Sequence, residues 1–232
     1  AEMIKYAANA FLALKISYTN ELANLCDEIG ADINEVTEAL GSDGRISPKF
    51  LHPGPGFGGS CFPKDTKALI NIAKTYNLDM HTIDAAIKTN NYQKLRMLNK
   101  LEILLEGNFN KKKIGILGLA FKQETDDVRE SAAIDMISGL IKRGANIKAY
   151  DPVANDSMKK LIPNIDYKLN WQSAVEDCDA VVIMTEWNEF RGMDLSTLKK
   201  LMFSPIILDT RNILNITELK KLDFKFDNVG RK

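Results

Sequence analysis

The sequence has no excess of either charge. Its 31 Lys and Arg residues offset 31 Asp and Glu residues, so the formal net charge is zero. Proteins that bind nucleic acid or an anionic membrane surface usually have a basic excess. We therefore expect neither nucleic acid nor a membrane as a partner.

Cysteine and histidine are also scarce. Cys26, Cys61 and Cys178 are far apart and odd in number, which argues against a disulfide framework and for a reducing compartment such as the cytoplasm. His52 and His81 have no Cys or His at metal-ligand spacing, so we expect no metal site.

Long apolar runs are missing as well. No run approaches the roughly 18–20 residues that a membrane span needs. The first residues, Ala-Glu-Met-Ile-Lys-Tyr, lack the basic start and apolar block of a signal peptide and are typical of the middle of a helix. Position 1 is not Met, so we expect the chain to begin inside a larger protein.

The most informative segment present is Gly56–Asp65, which reads Gly-Phe-Gly-Gly-Ser-Cys-Phe-Pro-Lys-Asp. Pro63 suits the first position of a helix that continues over 66–76. This places Cys61 at a helix N-terminus, where the partial positive charge favours the thiolate. Lys64 and Asp65 add a cation and a candidate base, so the segment outlines a nucleophilic site. The alternative is a buried cysteine in a turn.

Residues 2–105 predict an almost wholly helical region. One helix runs over about 2–29 and stops at Gly30, and Asp32 caps the next helix with Glu35 as its capping-box partner. A glycine- and proline-rich loop follows over 41–61. The helical pattern over 79–105 has apolar residues on more than one face, which indicates packing against a second chain or domain, or alternatively an ordinary core helix.

After a polar linker at 106–112, strands and helices alternate. Apolar strands are predicted at 113–119, 146–150, 180–184 and 206–208, with helices at 131–143 and near 154–161, 172–176 and 196–201. The fold class is thus α/β, a helical domain (1–106) followed by a doubly wound parallel-sheet domain (107–232).

Two further groups of residues suggest binding. Lys5 and Asn9 share one helix face and would stabilise a developing oxyanion, unless both are simply solvated. Gly115 and Gly118 end the first strand without the third glycine of a dinucleotide fingerprint, so a mononucleotide or diphosphate is the better expectation. Lys122 and Arg129 would neutralise phosphate charge there, or are ordinary surface cations.

Together these motifs resemble the UDP-glucose/GDP-mannose dehydrogenase family. The resemblance covers essentially the whole chain and rests on the segments Lys5–Phe11, Gly56–Asp65, Phe121–Lys122, Thr125–Arg129, Tyr150–Pro152, Thr185–Phe190 and Asp209–Asn212. Only the family's central dimerisation domain and its C-terminal Rossmann-like, sugar-nucleotide-binding domain are matched. The resemblance therefore implies that an N-terminal NAD-binding domain is missing from this chain, and that the chain alone is inactive.

The resemblance also implies roles for residues. A sugar C6 alcohol would be oxidised twice by NAD, with Cys61 forming a thiohemiacetal and then a thioester. Lys5 and Asn9 would hold the C6 oxygen, Asp65 would relay protons, and Lys64 and Arg129 would contact NAD. The residues implied for substrate binding are Phe50, Leu51, His52, Pro53, Gly54, Phe57, Gly58, Phe121, Lys122, Arg211 and, from the other subunit of a homodimer formed through the long central helix, Arg45.

The identity of the sugar depends on two positions. Ser60 and Phe62 favour the UDP-glucose branch over UDP-N-acetylmannosamine relatives, which tend to have His at the first position, and over GDP-mannose relatives, which tend to have Leu at the second. A third possibility is a UDP-sugar-binding dimerisation module without catalysis of its own.

Overall fold

The computed structural model describes residues 2–231. Its α-helices are α1 (Glu2–Ile29), α2 (Ile33–Ser42), α3 (Cys61–Thr75), α4 (His81–Leu104), α5 (Ala132–Lys142), α6 (Asn155–Lys159), α7 (Trp171–Val175), α8 (Asn188–Arg191), α9 (Leu195–Leu201) and α10 (Ile216–Lys221). Its strands are β1 (Lys113–Leu117), β2 (Asn146–Tyr150), β3 (Asp166–Tyr167), β4 (Ala180–Ile183), β5 (Ile206–Asp209) and β6 (Lys225–Asp227).

The six strands form one parallel sheet in the order β3-β2-β1-β4-β5-β6. This is the order of dinucleotide-binding folds, in which the chain reverses direction across the sheet between β1 and β4. All four residues of β4 are buried, as expected for a central strand covered on both faces. The predicted fold class, a helical region followed by a doubly wound parallel sheet, is confirmed.

The chain divides into two compact units. One extends to Lys94 and also includes the chain from Val229 onward, and the other is Leu95–Asn228. We call them the helical unit and the sheet unit. Helix α4 contributes residues to both, and the predicted domain boundary after residue 106 stays a prediction.

Local signals explain most helix ends in the helical unit. Helix α1 stops where Gly30 takes a φ of +80°, a conformation that glycine adopts without steric cost. The Asp32 side chain caps α2, but it accepts from the amide of Asn34 rather than pairing with Glu35 in the predicted capping box. Helices α1, α3 and α4 then pack around Ala10, Leu69 and Ile83.

The start of α3 differs from the prediction. The helix begins at Cys61, so Pro63 is its third residue rather than its first. Proline is tolerated there because the first four amides of a helix have no acceptor within the helix. The consequence is that the cysteine itself opens the helix.

The core of the sheet unit lies between the sheet and its helices. It includes large side chains from four helices and a strand, such as Trp171, Phe190, Leu198, Leu219 and Ile183. Gly118 allows a close approach within this unit, because a Cβ there would lie 2.5 Å from the backbone nitrogen of Thr185 and its φ is +94°. This glycine is therefore required for packing between the ends of β1 and β4.

Candidate active site

A buried carboxylate organises the predicted catalytic residues of the helical unit. Asp65 is fully buried, and its Oδ2 accepts a 2.6 Å hydrogen bond from Asn9 Nδ2. Lys5 Nζ lies 3.5 Å from the same oxygen, and Lys64 Nζ lies 3.7 Å from Oδ1. The structure thus brings Lys5 and Asn9, one turn apart on α1, to one carboxylate on α3.

This environment favours the ionised form of Asp65. Burial by itself would raise the pKa of the carboxyl group. The hydrogen bond from Asn9 and the charges of Lys5 and Lys64 outweigh burial, and the pKa of Asp65 is lowered below its ordinary value. A negative charge is therefore held next to an amide and two cations, with Oδ1 free of any hydrogen-bond donor among residues 2–231.

Cys61 is the exposed thiol of the chain. It opens α3, lies four residues before Asp65, and has Ser60 Oγ 3.8 Å from its sulfur. Cys26 and Cys178 are buried, and burial raises the pKa of Cys26 and raises that of Cys178 to about 11. Cys61 is therefore the cysteine that a reagent or a substrate in solution can reach.

Two aromatic rings contact Phe62, the residue after Cys61. The ring of Phe62 makes edge-to-face contacts with Phe50 at 6.1 Å and with Phe57 at 5.9 Å between centroids. Phe50 has a φ of +65°, a left-handed conformation that costs a bulky residue free energy and is found mainly at functional sites. The ring cluster links both ends of the glycine-rich loop to α3.

Lys15 holds the turn that leads into this loop, and sequence reasoning missed it. Its ammonium group donates to the carbonyl oxygens of Ile46 at 2.9 Å, Ser47 at 3.1 Å and Lys49 at 2.6 Å. A lysine followed by an irregular segment about 30 residues later carries no sequence signal for such a contact. The three bonds fix the chain immediately before Phe50.

The remaining predicted residues of the helical unit differ in exposure. Leu51, Gly54, Phe57 and Gly58 are buried, Pro53 is half-buried, and His52 and Lys64 are exposed. The exposed Arg45 side chain pairs with Asp43 at its own turn. Most of the predicted substrate residues of the loop are therefore buried, and His52 is the one whose side chain is exposed between positions 51 and 58.

In the sheet unit, a second buried carboxylate shapes the edge where β1 and β2 end. Asp151 Oδ2 accepts from the amides of Leu119 and Ala120 and from the Trp187 indole, and Oδ1 accepts from the amides of Val153 and Ala154. Five protein donors thus surround this carboxylate.

The predicted substrate residues of the sheet unit adjoin this edge. Lys122 Nζ lies 5.5 Å from the centre of the Phe121 ring. Arg211 donates to the carbonyl oxygens of Phe121 at 3.0 Å and Met184 at 2.8 Å, and its Nε lies 3.1 Å from Glu186 Oε2. Arg211 thus fixes the backbone next to Lys122, a role that the sequence did not indicate.

Arg129 lines an open cavity of about 400 Å³ in the sheet unit. Its guanidinium group is bonded to Asp127 at 2.9 and 2.7 Å. The same cavity is lined by Asp126, Ser157 and Lys160. Among residues 2–231, no group of three or more His, Cys, Asp or Glu side chains could hold a metal ion, and no helix is long and apolar enough to cross a membrane.

The chain is similar over its whole length to known dehydrogenases. It is 43% identical over 231 residues to UDP-glucose 6-dehydrogenase of Rhizobium meliloti, covering 100% of this chain and 53% of that protein. It is 44% identical over 232 residues to UDP-glucose 6-dehydrogenase TuaD of Bacillus subtilis, covering 100% of this chain and 50% of that protein. The chain therefore spans about half the length of these curated relatives.

A solved structure of a UDP-glucose dehydrogenase is also similar to this chain. A UDP-glucose dehydrogenase from the hyperthermophilic archaeon Pyrobaculum islandicum matches with a TM-score of 0.88 and 34% identity, over 99% of this chain and 51% of that one. The family model for the central domain matches residues 1–92, and the model for the UDP-binding domain matches 115–216. The chain belongs to the UDP-glucose/GDP-mannose dehydrogenase family.

Proposed function

We propose that the protein oxidises the C6 alcohol of UDP-glucose to the carboxylate of UDP-glucuronate in two steps through Cys61. The observation that carries this proposal is the exposed Cys61 at the start of α3, one helical turn before Asp65 with its Asn9 and Lys5 partners. A nucleophile, a proton acceptor and an oxyanion-stabilising pair are the groups that alcohol oxidation through a thioester requires.

The roles follow from these contacts. The Lys5 ammonium and Asn9 amide would hold the C6 oxygen while its proton passes to Asp65 or to a water bound to it. A hydride leaves C6 for the oxidant, and the alcohol becomes an aldehyde. The Cys61 thiolate adds to the aldehyde carbon, and the second oxidation converts this thiohemiacetal into a thioester. Water then attacks the thioester carbon and gives one proton to Asp65 or to a water bound to it. The carbon–sulfur bond breaks and restores the Cys61 thiolate, and the carboxylic acid loses its second proton to solvent as the carboxylate is released.

Lys64 and Arg129 are the residues proposed to contact NAD. Each is exposed in its own unit, Lys64 next to Asp65 and Arg129 at the edge of its cavity. NAD, when bound, would supply a two-electron oxidant, and one NAD molecule would be consumed for each of the two oxidations. Lys64 and Arg129 would each offer a cation to a phosphate group of the cofactor.

The nucleotide handle of the substrate is assigned to the sheet unit. The match of residues 115–216 to the UDP-binding domain of the family supports this. Lys122 supplies a cation at the Phe121 ring, and Arg211 keeps that segment in place. In the helical unit, the loop from Phe50 to Gly58, with Arg45 of the other subunit of a dimer, would line the sugar nucleotide.

UDP-glucose is the proposed sugar nucleotide. The two curated relatives that are 43–44% identical carry the name UDP-glucose 6-dehydrogenase, and the residues flanking Cys61 are Ser60 and Phe62. UDP-N-acetylmannosamine and GDP-mannose are the competing substrates. Thermal unfolding with each sugar nucleotide in turn ranks them, because a ligand that binds only the folded state raises the melting temperature.

A second candidate function is a UDP-sugar-binding module without redox chemistry of its own. Gly115 and Gly118, the glycines nearest to a dinucleotide fingerprint, face Ala174 and Thr185 closely rather than leaving room for a ligand. We expect the 232-residue chain to be stabilised by UDP-glucose and to produce no NADH from NAD and UDP-glucose by itself. An unchanged melting temperature at saturating UDP-glucose would contradict the nucleotide assignment, and NADH production would exclude the module.

We also propose a homodimer formed by the helical unit. Exposed apolar side chains recur every seven residues on α1: Ile4 (76% exposed), Phe11 (61%), Tyr18 (50%) and Leu25 (53%). Such a repeat is typical of helices that pair lengthwise. On α4, Tyr92 and Leu95 are also exposed, which agrees with pairing that includes the long central helix.

Sedimentation velocity tests the dimer. Phe11→Glu should convert dimer to monomer, whereas Leu169→Glu, at an apolar position of the sheet unit that is 92% exposed, should not. A monomeric parent protein, or a Phe11→Glu variant that stays dimeric, would remove this proposal.

A further inference from the structure

The loop before the nucleophile is buried but has almost no regular secondary structure. Residues 51–60 contain no helix or strand, yet Leu51 and residues 54–59 are buried. Buried backbone amides and carbonyls must find hydrogen-bond partners. For Gly54 and Phe57 of this loop, the partners are side-chain amides of α1 and α4.

Gly54 is held through both of its backbone groups. Its amide donates to Asn20 Oδ1 at 2.8 Å, and its carbonyl accepts from Gln93 Nε2 at 2.9 Å. Gln93 is held in turn, since its Oε1 accepts from Asn24 Nδ2 at 2.9 Å. Asn20 and Gln93 are fully buried, so water cannot replace either partner cheaply.

Phe57 is held in the same way by a single side chain. Its amide donates to Asn90 Oδ1 at 2.7 Å, and its carbonyl accepts from Asn90 Nδ2 at 3.0 Å. The Asn90 side chain thus supplies the acceptor and the donor that a neighbouring β-strand would otherwise offer to Phe57. Gly56 makes this possible, because a Cβ at its φ of +110° would lie 3.0 Å from Asn90 Oδ1 and 3.2 Å from Lys94 Cγ.

These contacts fix the loop on both sides of Gly56. Phe57 packs against Phe62, the residue after Cys61, and Gly54 ends the segment 50–54 that is assigned to the sugar nucleotide. A shift of either residue therefore moves the nucleophile relative to the substrate loop.

We propose that Asn20, Gln93 and Asn90 are positioning residues that hold Gly54 and Phe57, and so set the distance between the sugar-binding loop and Cys61 before substrate arrives. We call them the amide clamp. The proposal rests on the proposed function, because it assigns the loop to UDP-glucose. None of the three side chains needs to touch the substrate.

The test uses Cys61 as its own reporter. Iodoacetamide should alkylate Cys61 alone in the folded chain, since the other cysteines are buried, and UDP-glucose should slow the reaction. Asn90→Ala leaves both backbone groups of Phe57 without partners, and we expect it to raise the UDP-glucose concentration for half-protection about tenfold or more. Gln93→Ala should act in the same direction, and it serves if Asn90→Ala does not fold.

Ser17→Ala is the matched control. Ser17 is buried on α1 and donates to the carbonyl of Ala86 on α4 at 2.8 Å, so its loss removes a contact between the same two helices without touching the loop. We expect Ser17→Ala to lower the melting temperature and to leave the UDP-glucose concentration for half-protection of Cys61 unchanged. Equal half-protection in the parent, Asn90→Ala and Ser17→Ala proteins would overturn the amide clamp.

Hydrogen exchange separates failure of the clamp from failure of the proposed function. The Gly54 and Phe57 amides should exchange slowly without ligand, and Asn90→Ala should speed exchange at Phe57 while Ser17→Ala does not. If UDP-glucose fails to protect Cys61 in the parent protein, the proposed function is contradicted, whereas slow exchange at both amides still supports the clamp. Fast exchange at both amides in the parent protein overturns the clamp, whatever UDP-glucose does.

Discussion

Asp65 in the helical unit and Asp151 in the sheet unit are buried carboxylates with opposite surroundings. Asp151 in the sheet unit accepts five hydrogen bonds from the protein, four of them from backbone amides. Asp65 in the helical unit accepts from Asn9 and faces Lys5 and Lys64, and its Oδ1 has no hydrogen-bond donor within residues 2–231. The Asp151 carboxylate is therefore fully used in holding the loop around it, whereas Asp65 keeps one oxygen that could take up a proton in the proposed reaction.

The same contrast extends to the neighbouring motif residues. In the sheet unit, Thr185 donates to the carbonyl of Ala120 and Arg211 to those of Phe121 and Met184. In the helical unit, Lys5 and Lys64 remain more than half exposed. Membership of a family motif thus does not by itself identify a catalytic group, and the contacts of each side chain distinguish the two roles.

The largest effect is expected from Cys61→Ser. A serine hydroxyl is a far poorer nucleophile than a thiolate, so the second oxidation should slow by on the order of a thousandfold or more. The measurement is steady-state NADH production by this chain joined to an NAD-binding domain of the family. Cys26→Ser changes a buried thiol and serves as the control, and normal kinetics in Cys61→Ser would exclude Cys61 from the reaction.

The second-largest effect is expected from Asp151→Asn, which should lower the free energy of unfolding. The amide NH2 group would face backbone amides that now donate to a carboxylate oxygen, and an unsatisfied buried group costs roughly 2–3 kcal/mol of unfolding free energy. Asp65→Asn should cost less stability and reduce turnover more. Denaturant unfolding of both variants gives the comparison, and equal stability losses would contradict the division of roles.

The smallest effect is the pH dependence of Asp65. Because its pKa is lowered in the folded state, its ionisation stabilises the fold above the ordinary carboxyl pKa of about 4, and this stabilisation is lost as the pH falls below that value. The difference in unfolding free energy between the parent and Asp65→Asn should be flat near neutral pH and shrink in acid. A difference that grows in acid would mean that the folded-state pKa is raised instead.

Much of the fold could be predicted from the sequence because its long elements carry strong periodic signals. The bounds of α1, α4 and α5 and of the central strands agree with the predictions within a few residues. Strands β3 and β6 were missed, since Asp166–Tyr167 and Lys225–Asp227 are short, lie at the sheet edges and have no fully buried residue. The short helices α8 and α10 were also missed, although α6 and α7 of similar length were predicted.

The residues of the candidate site could be predicted where a reactive side-chain type occurs at helical spacing from another one. Lys5, Asn9, Cys61 and Asp65 were singled out from helix spacing and residue type, and Lys5, Asn9 and Asp65 do meet. Lys15 and the amide clamp were not predicted, because their partners are backbone groups more than 30 residues away in the sequence. A buried amide such as Gln93 on a helix was the only available signal, and it does not reveal which backbone group it holds.

The covalent state of Cys61 during turnover tests the central claim most directly. This chain, joined to an NAD-binding domain of the family, is mixed with NAD and UDP-glucose, quenched in acid and digested. The mass of the peptide that contains Cys61 is then measured by mass spectrometry. We predict a UDP-glucuronyl thioester on Cys61 that hydroxylamine removes. NADH production with Cys61 unmodified throughout, and still reactive toward iodoacetamide, would contradict the account.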